Sequence, residues 1–298
     1  MRRAVDKHLL KSLLGLASLV ELRDPYTGGH AWRVGQFSKH LALGVGLDRD
    51  QVFLAQLGGF LHDLGKVGIP DAVLRKPDRL TEDEFTLIKT HPAIGSDLLA
   101  DHPLADLARD AVRHHHERPD GRGYPDGLAG EDCPVVARIV GVADAFDAMT
   151  STRSYRRGMP IDRAVGILIA ERGRQFDGTM IDGFVSLYQA GDTLGQIVGH
   201  SDHGQKLAVC PVCGPVLTVP RDATNGARLF CRNCGGLYRI EREDDEWVVY
   251  SIDAVPDPGA LRPYPETDVQ DEILQAIPPS RHSFFTGRLS ALVGAGRH

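Results

Sequence analysis

From about residue 5 to residue 190 the apolar residues recur at helical spacing, as in Val34, Phe37 and Leu41 and again in Val165, Leu168 and Ile169. No alternating pattern competes, so this stretch predicts a mostly helical domain. The punctuation agrees: Thr81-Glu82-Asp83-Glu84 has the capping-box pattern, and Pro134 stands where a first-turn proline opens a helix running to about Met149. A polar, Gly-rich stretch from Gly191 to Gly204 breaks the period and reads as a linker. Beyond it, Leu217 to Val219, Arg228 to Phe230 and Trp247 to Ile252 are short β-prone runs around two cysteine pairs, fitting a small β module over 205–254. The tail over 255–298 carries six of the 18 prolines, leaving Asp268 to Ile277 as its helical stretch in a partly ordered segment. The expected fold is mainly α, a helical bundle over 1–190 followed by a small β module.

Charge and hydropathy narrow the function classes. Lys and Arg number 34 against 40 Asp and Glu, a net charge of −6, which argues against a chain held to nucleic acid by bulk charge. Leu9 to Leu22 is broken by Lys11, Ser12, Ser18 and Glu21 and falls short of the roughly 20 residues of a membrane span. No small-residue cleavage site follows it, so the reading is a cytoplasmic chain without a membrane partner.

His62-Asp63-Leu64-Gly65-Lys66 closes an apolar helix that begins near Arg49. In isolation it reads equally as a helix C-terminus whose His and Lys meet the last carbonyls. The other histidines shift the balance: His30 on the preceding helix, His91 ending the helix begun at Thr81, and His114-His115-His116-Glu117 ending the next. Imidazole with carboxylate suits iron, manganese or zinc, and adjacent ligands can flank a two-metal cluster or work from a distorted helix end. Asp144, on the Pro134 helix, offers a carboxylate from another direction.

His62-Asp63-x-Gly65-Lys66, His115-His116-Glu117 and Asp120-Gly121-x-Gly123-Tyr124-Pro125 resemble the HD-GYP family of cyclic-di-GMP phosphodiesterases over about residues 20 to 190. Arg23 to His30, Lys89-Thr90-His91-Pro92 and Thr150-Ser151-x-Arg153-x-Tyr155-Arg156 extend the match. The resemblance implies an HD-domain helical bundle and a metal-dependent phosphodiesterase that hydrolyses cyclic-di-GMP to linear pGpG and on to GMP. His30, His62, Asp63 and Asp144 would surround one iron or manganese ion, and Asp63, His91, His115 and His116 the other, with Asp63 as the bridge. Lys66 would reach the scissile phosphate, Arg153 and Arg156 would hold the substrate phosphates, and Gly123, Tyr124 and Pro125 would form the loop beside the site. Three positions depart from the family pattern. Tyr26 stands where a subgroup has a third-metal carboxylate, so two metals are expected; Pro119 replaces a tryptophan and Ser154 a proline. The alternatives are an HD hydrolase of another nucleotide, or a non-catalytic adaptor that binds the cyclic dinucleotide.

Cys210-x2-Cys213 and Cys231-x2-Cys234, with 17 residues between the pairs and a glycine after each, have the spacing of a structural tetrathiolate site and resemble a zinc ribbon holding one zinc. A rubredoxin-like iron centre is the rival. Residues 206–240 are locally +4, and Glu241 to Glu246 cancels this. The balance favours a protein partner through the ribbon or tail, or simple structural stapling, over nucleic acid. A second copy of the chain is a further candidate partner.

Overall fold

The computed structural model describes residues 4–23, 28–76, 78–152, 156–232, 234–244, 246–253 and 267–281. Tyr26, Arg153, Ser154, Tyr155 and most of the Pro-rich tail lie outside the described residues. The helical body opens with α1 (Lys7–Glu21), capped by the Asp6 carboxylate, then α2 (His30–Gly44) and α3 (Arg49–Leu61), whose start is a capping box between Asp48 and Gln51. α4 (Asp71–Leu74) and α5 (Glu82–Ile88) follow, with the Thr81–Glu84 box in place. α6 (His91–Leu98), α7 (Arg109–His114), α8 (Val135–Thr150), α9 (Ile161–Ala170) and α10 (Gly178–Gln189) complete the bundle. Pro134 is the residue before α8 rather than inside its first turn.

Three helices make the centre: α2 packs on α3, and both pack on α8. Phe37 meets Phe146 edge-on at 5.0 Å, and Phe184 of α10 closes against Phe146 at 4.8 Å. All three rings are fully buried, so the backbone of α2 and α8 near His30 and Asp144 is held by close packing.

One segment differs from the sequence expectation, and the tail helix, found where the sequence put it, is docked in a way the sequence did not show. In the Gly191–Gly204 stretch, Leu194 and Ile197 are buried in the helical core, and β1 (His200–Asp202) pairs with β2 (Gln205–Lys206) against α2. Arg33 Nη1 donates to the His200 carbonyl at 2.8 Å, so this stretch is docked between Leu194 and Ser201. In the tail, α11 (Thr267–Gln275) and the residues after it bury Val269, Ile273 and Ile277 on the same core. The stripe at i, i+4 and i+8 is what docks it. Glu272 accepts from Gln36 and Gln56 and pairs with Lys39 and His203, while Arg281 grips buried Asp50.

The β module has its own small core of Ala208, Leu217, Val219, Leu229, Tyr238 and Ile240. β3 (Ala208–Cys210) pairs with β4 (Gly214–Leu217), and β5 (Arg228–Phe230), β6 (Leu237–Glu243) and β7 (Glu246–Ser251) form an antiparallel sheet. No helix among the described residues is long and apolar enough to cross a membrane.

Candidate metal centre

The α3 helix ends at Leu61, and the chain tightens into a 3-10 turn over Leu64–Gly68. The break lets adjacent side chains at His62 and Asp63 face the same space, which a continuous helix forbids. Gly65 makes the turn fit: a Cβ there would stand 1.9 Å from the His91 carbonyl oxygen, so only glycine lets the turn press against α6. His91 is the first residue of α6, with Pro92 second, rather than the end of α5 as the sequence suggested.

Three of the rings are oriented through Nδ1 by backbone carbonyls. His62 Nδ1 donates to Gly59 O at 2.7 Å, His91 Nδ1 to Ile88 O at 2.8 Å and His115 Nδ1 to Val112 O at 3.0 Å. Carbonyls only accept, so these Nδ1 atoms carry the hydrogen and the Nε2 atoms present lone pairs. The Nε2 atoms converge: His62 Nε2 lies 3.3 Å from His30 Nε2, and the lone pairs of His91 Nε2 and His115 Nε2 face each other at 3.2 Å. Buried acceptors facing each other at this range repel unless a cation lies between them. Donors bound at ~2.1 Å to one ion stand about 3.0–3.4 Å apart, and these spacings fit.

The carboxylates complete two groups. Asp63 Oδ2 lies 3.5 Å from His30 Nε2 and 3.3 Å from His62 Nε2, while its Oδ1 lies 3.4 Å from His91 Nε2. Asp144 Oδ1 is 3.5 Å from His30 and 3.8 Å from His62. One cluster is thus His30, His62 and Asp144, another His91, His115 and His116, and Asp63 divides its two oxygens between them. Lys66 Nζ lies 2.8 Å from Asp63 Oδ2.

The electrostatics suit ligation. Burial holds His115 well below the ordinary imidazole range and pushes His116 down to about 3, with neighbouring imidazoles adding to both, so these rings are neutral donors. Against burial, Lys66 and His62 keep Asp63 ionised, and His62 and His30 do the same for Asp144. Burial would lower His30, but hydrogen bonds to Asp147 and Asp63 outweigh it and push this ring up to about 10. The carboxylates of Asp63, Asp144 and Asp147 that raise it make the surroundings of this ring negative, which favours a cation there.

Two supports escaped the sequence reading. Asp147, one turn beyond Asp144, accepts from His30 Nδ1 at 2.7 Å and takes a two-point grip from Arg33, both side chains 1% exposed. The i, i+3 spacing of the two aspartates on α8 was the available signal. Glu117 accepts from the backbone N–H groups of Asp126, Gly127 and Leu128 and so fastens the loop carrying Gly123, Tyr124 and Pro125. A Cβ on Gly123 would lie 2.5 Å from the Arg118 nitrogen, so that loop folds back only with glycine there. Tyr124 stacks on His116 at 4.8 Å. Beside it opens a cleft of about 560 Å³ that reaches Asp144 and His116 and extends to Phe85 and Lys89. Arg156 donates to the carbonyl of Ala148, a residue of the cleft lining.

In the β module the four cysteine sulfurs lie within 4.8 Å of one another. Cys210 and Cys234 are 3.8 Å apart and Cys213 and Cys231 3.9 Å, far beyond a disulfide and close to the ~3.8 Å edge of a tetrahedron with ~2.3 Å metal–sulfur bonds. Against burial, the Tyr238 hydroxyl and the Gly236 N–H bring Cys234 down to about 7.

A family profile described as "HD domain" matches residues 15–180. The cyclic di-GMP phosphodiesterase response regulator RpfG of Xanthomonas campestris pv. campestris is 42% identical over 180 residues, 60% of this chain and 48% of that protein. A probable cyclic di-GMP phosphodiesterase of Vibrio cholerae is 39% identical over 58% of this chain and 43% of its own length. A 3'3'-cGAMP-specific phosphodiesterase of the same organism is 36% identical over 60% and 34%. The chain thus spans about half the length, or less, of these curated relatives. A crystal structure of a Vibrio cholerae cyclic GMP-AMP-specific phosphodiesterase aligns with a TM-score of 0.49 at 18% identity, over 63% of this chain and 50% of that one. With more than half of its residues matched by the profile, and the His-Asp pair at the focus of its buried imidazoles, this chain belongs to the HD-domain family, as a member of its HD-GYP branch.

Proposed function

We propose that this chain is a metal-dependent phosphodiesterase that opens cyclic-di-GMP to linear pGpG, with GMP as the product of a second cleavage. The observation that carries the reading is the division of the Asp63 oxygens between two clusters of imidazoles, with the Lys66 ammonium beside them. His30, His62 and Asp144 would hold one divalent ion, His91, His115 and His116 the other, and Asp63 both; mixed nitrogen and oxygen donors suit iron or manganese. Such a pair, when bound, lowers the pKa of water and neutralises phosphoryl oxygens.

The chain's own groups do the rest. Lys66 donates to the scissile phosphate and delivers a proton to the departing 3′ oxygen. Asp147 and Arg33 fix the His30 ring, and Tyr124 walls the cleft in which the dinucleotide lies. Arg153 and Arg156 are proposed for the outer phosphate. In the β module the four cysteines would hold one structural zinc, a zinc-ribbon reading supported by four sulfurs within 4.8 Å of one another. A protein partner at that module or at the tail, a second copy of the chain and a cytoplasmic location belong to the same proposal.

The test is protein reconstituted with Fe(II) or Mn(II) without oxygen and incubated with a panel of cyclic and linear nucleotides, the products being separated by chromatography. Conversion of cyclic-di-GMP to pGpG is expected. Binding without turnover would establish the adaptor reading, and turnover confined to other nucleotides would refute the substrate.

A further inference from the structure

The cleft beside the metal centre has an outer end that phosphodiester chemistry does not use. There α5 presents Phe85 and, one turn later, Lys89. Phe85 is 47% exposed, a large ring left open to solvent on a cleft wall. The Lys89 ammonium lies 4.7 Å from the Phe85 ring centre and 5.7 Å from that of Tyr124, which itself stacks on His116. Two arginines of the cleft are engaged, Arg118 with Asp120 at 2.7 Å and Arg138 with Asp177 at 2.8 Å, while Arg122 lines it without being placed over either ring. Lys89 is half-buried, and among the described residues no carboxylate pairs with it.

We infer that Phe85 and Lys89 form a base subsite that selects guanine over adenine in the bound cyclic dinucleotide; this rests on the phosphodiesterase reading above. A purine face stacks on an aromatic ring whatever its substituents, so Phe85 supplies affinity without choice. Lys89 supplies the choice. An ammonium only donates, and the O6 and N7 of guanine are adjacent acceptors, whereas adenine puts an N6 amino group where O6 would be. The cleft volume, about 560 Å³, is in the ~300–1,000 Å³ range of small-ligand sites, room for a base at the rim while a phosphate meets the metals. Relatives named for cyclic di-GMP and for 3'3'-cGAMP make this the discrimination such a cleft has to settle.

The experiment has two readouts, one independent of turnover. Calorimetry on the metal-loaded protein should show GMP binding about tenfold tighter than AMP, with Lys89→Met removing the difference and Phe85→Ala weakening both nucleotides in parallel. In turnover, Lys89→Met should lose about tenfold in kcat/KM on cyclic-di-GMP, little on cyclic-di-AMP, and nothing on bis(p-nitrophenyl) phosphate, which carries no base. Equal binding of GMP and AMP by the parent overturns the subsite. So does a parallel loss on all three diesters, which would make Lys89 a phosphate ligand. If the parent cleaves no diester at all, the phosphodiesterase reading fails by itself, and the GMP to AMP ratio still decides the subsite.

Discussion

Asp147→Asn isolates the support beneath the metal centre. The native carboxylate accepts from Arg33 Nε at 2.6 Å through one oxygen, and from Arg33 Nη2 at 3.1 Å, His30 Nδ1 at 2.7 Å and Ser151 Oγ at 3.2 Å through the other. Asparagine keeps the shape but has one carbonyl oxygen, so its amide nitrogen must face donors on one side or the other. It also takes from Arg33, 1% exposed, the carboxylate charge that it grips at two points. Removing one partner of such a pair costs about 3–5 kcal/mol, a large share of the ~5–15 kcal/mol that keeps a domain folded. The second effect is on the ligand: a His that loses the acceptor fixing its tautomer typically loses ~10- to 100-fold in metal affinity. Both can be measured, by urea unfolding of the metal-free protein and by Mn(II) titration. Asp50→Asn is the control, since Asp50 also holds a buried arginine, Arg281, but stands at the opposite end of α3, 12 residues and about 18 Å from His62. It should lower stability comparably and leave metal affinity alone. If Asp147→Asn binds Mn(II) as tightly as Asp50→Asn does, the carboxylate is only a structural counter-ion and the argument for His30 is wrong.

Three further outcomes follow from the same geometry. Lys66→Met should keep both metals while turnover falls ~100-fold or more, because its ammonium acts on phosphate; loss of metal on elemental analysis would reassign it. In metal-free protein, His116, pushed down to about 3, and the lowered His91 and His115 stay neutral where the unfolded chain, with imidazoles near 6.5, takes up protons, so stability should fall as pH drops from about 6.5 toward 3. His30, raised to about 10, acts oppositely and its contribution fades as pH rises from 6.5 through 10, so a urea midpoint that is highest at pH 4 would contradict the assignment. Cys231→Ser with Cys234→Ser should lose the module's metal and become protease-sensitive past about residue 205, yet retain hydrolysis within a few-fold, since the module's core is separate from that of the bundle. Vanished activity with the bundle's metals intact would make the module part of the active site.

The helical body was legible because its period is local, and the histidines stood out because they cluster at helix ends. His91 was read at the wrong end, although the proline right after it marks a first turn. β6 was missed, yet its buried Tyr238 and Ile240 alternate with Arg239 and Glu241, a two-residue period that was there to be read. Other features left no local trace. The apolar stripe of α11 was visible as a helix, but its docking depends on Arg281 reaching Asp50, 231 positions away, and on Glu272 meeting residues of α2 and α3. Likewise Leu194 and Ile197 lie in a polar stretch whose composition says linker, and only their neighbours in space make them core.

The placement of histidines at helix ends has a physical root that joins fold to chemistry. The last turn of a helix leaves carbonyls without intrahelical partners, and burying that end requires donors for them. Gly59 in the last turn of α3, Ile88 at the end of α5 and Val112 in the last turn of α7 are such carbonyls, and the Nδ1–H groups of His62, His91 and His115 supply the donors. Each of these hydrogen bonds satisfies a helix end and, by placing the hydrogen on Nδ1, leaves Nε2 as a lone pair aimed into the shared space. Helix termination and ligand orientation are therefore one interaction in three places, and the geometry of the metal centre is set by the same bonds that let the helix ends be buried.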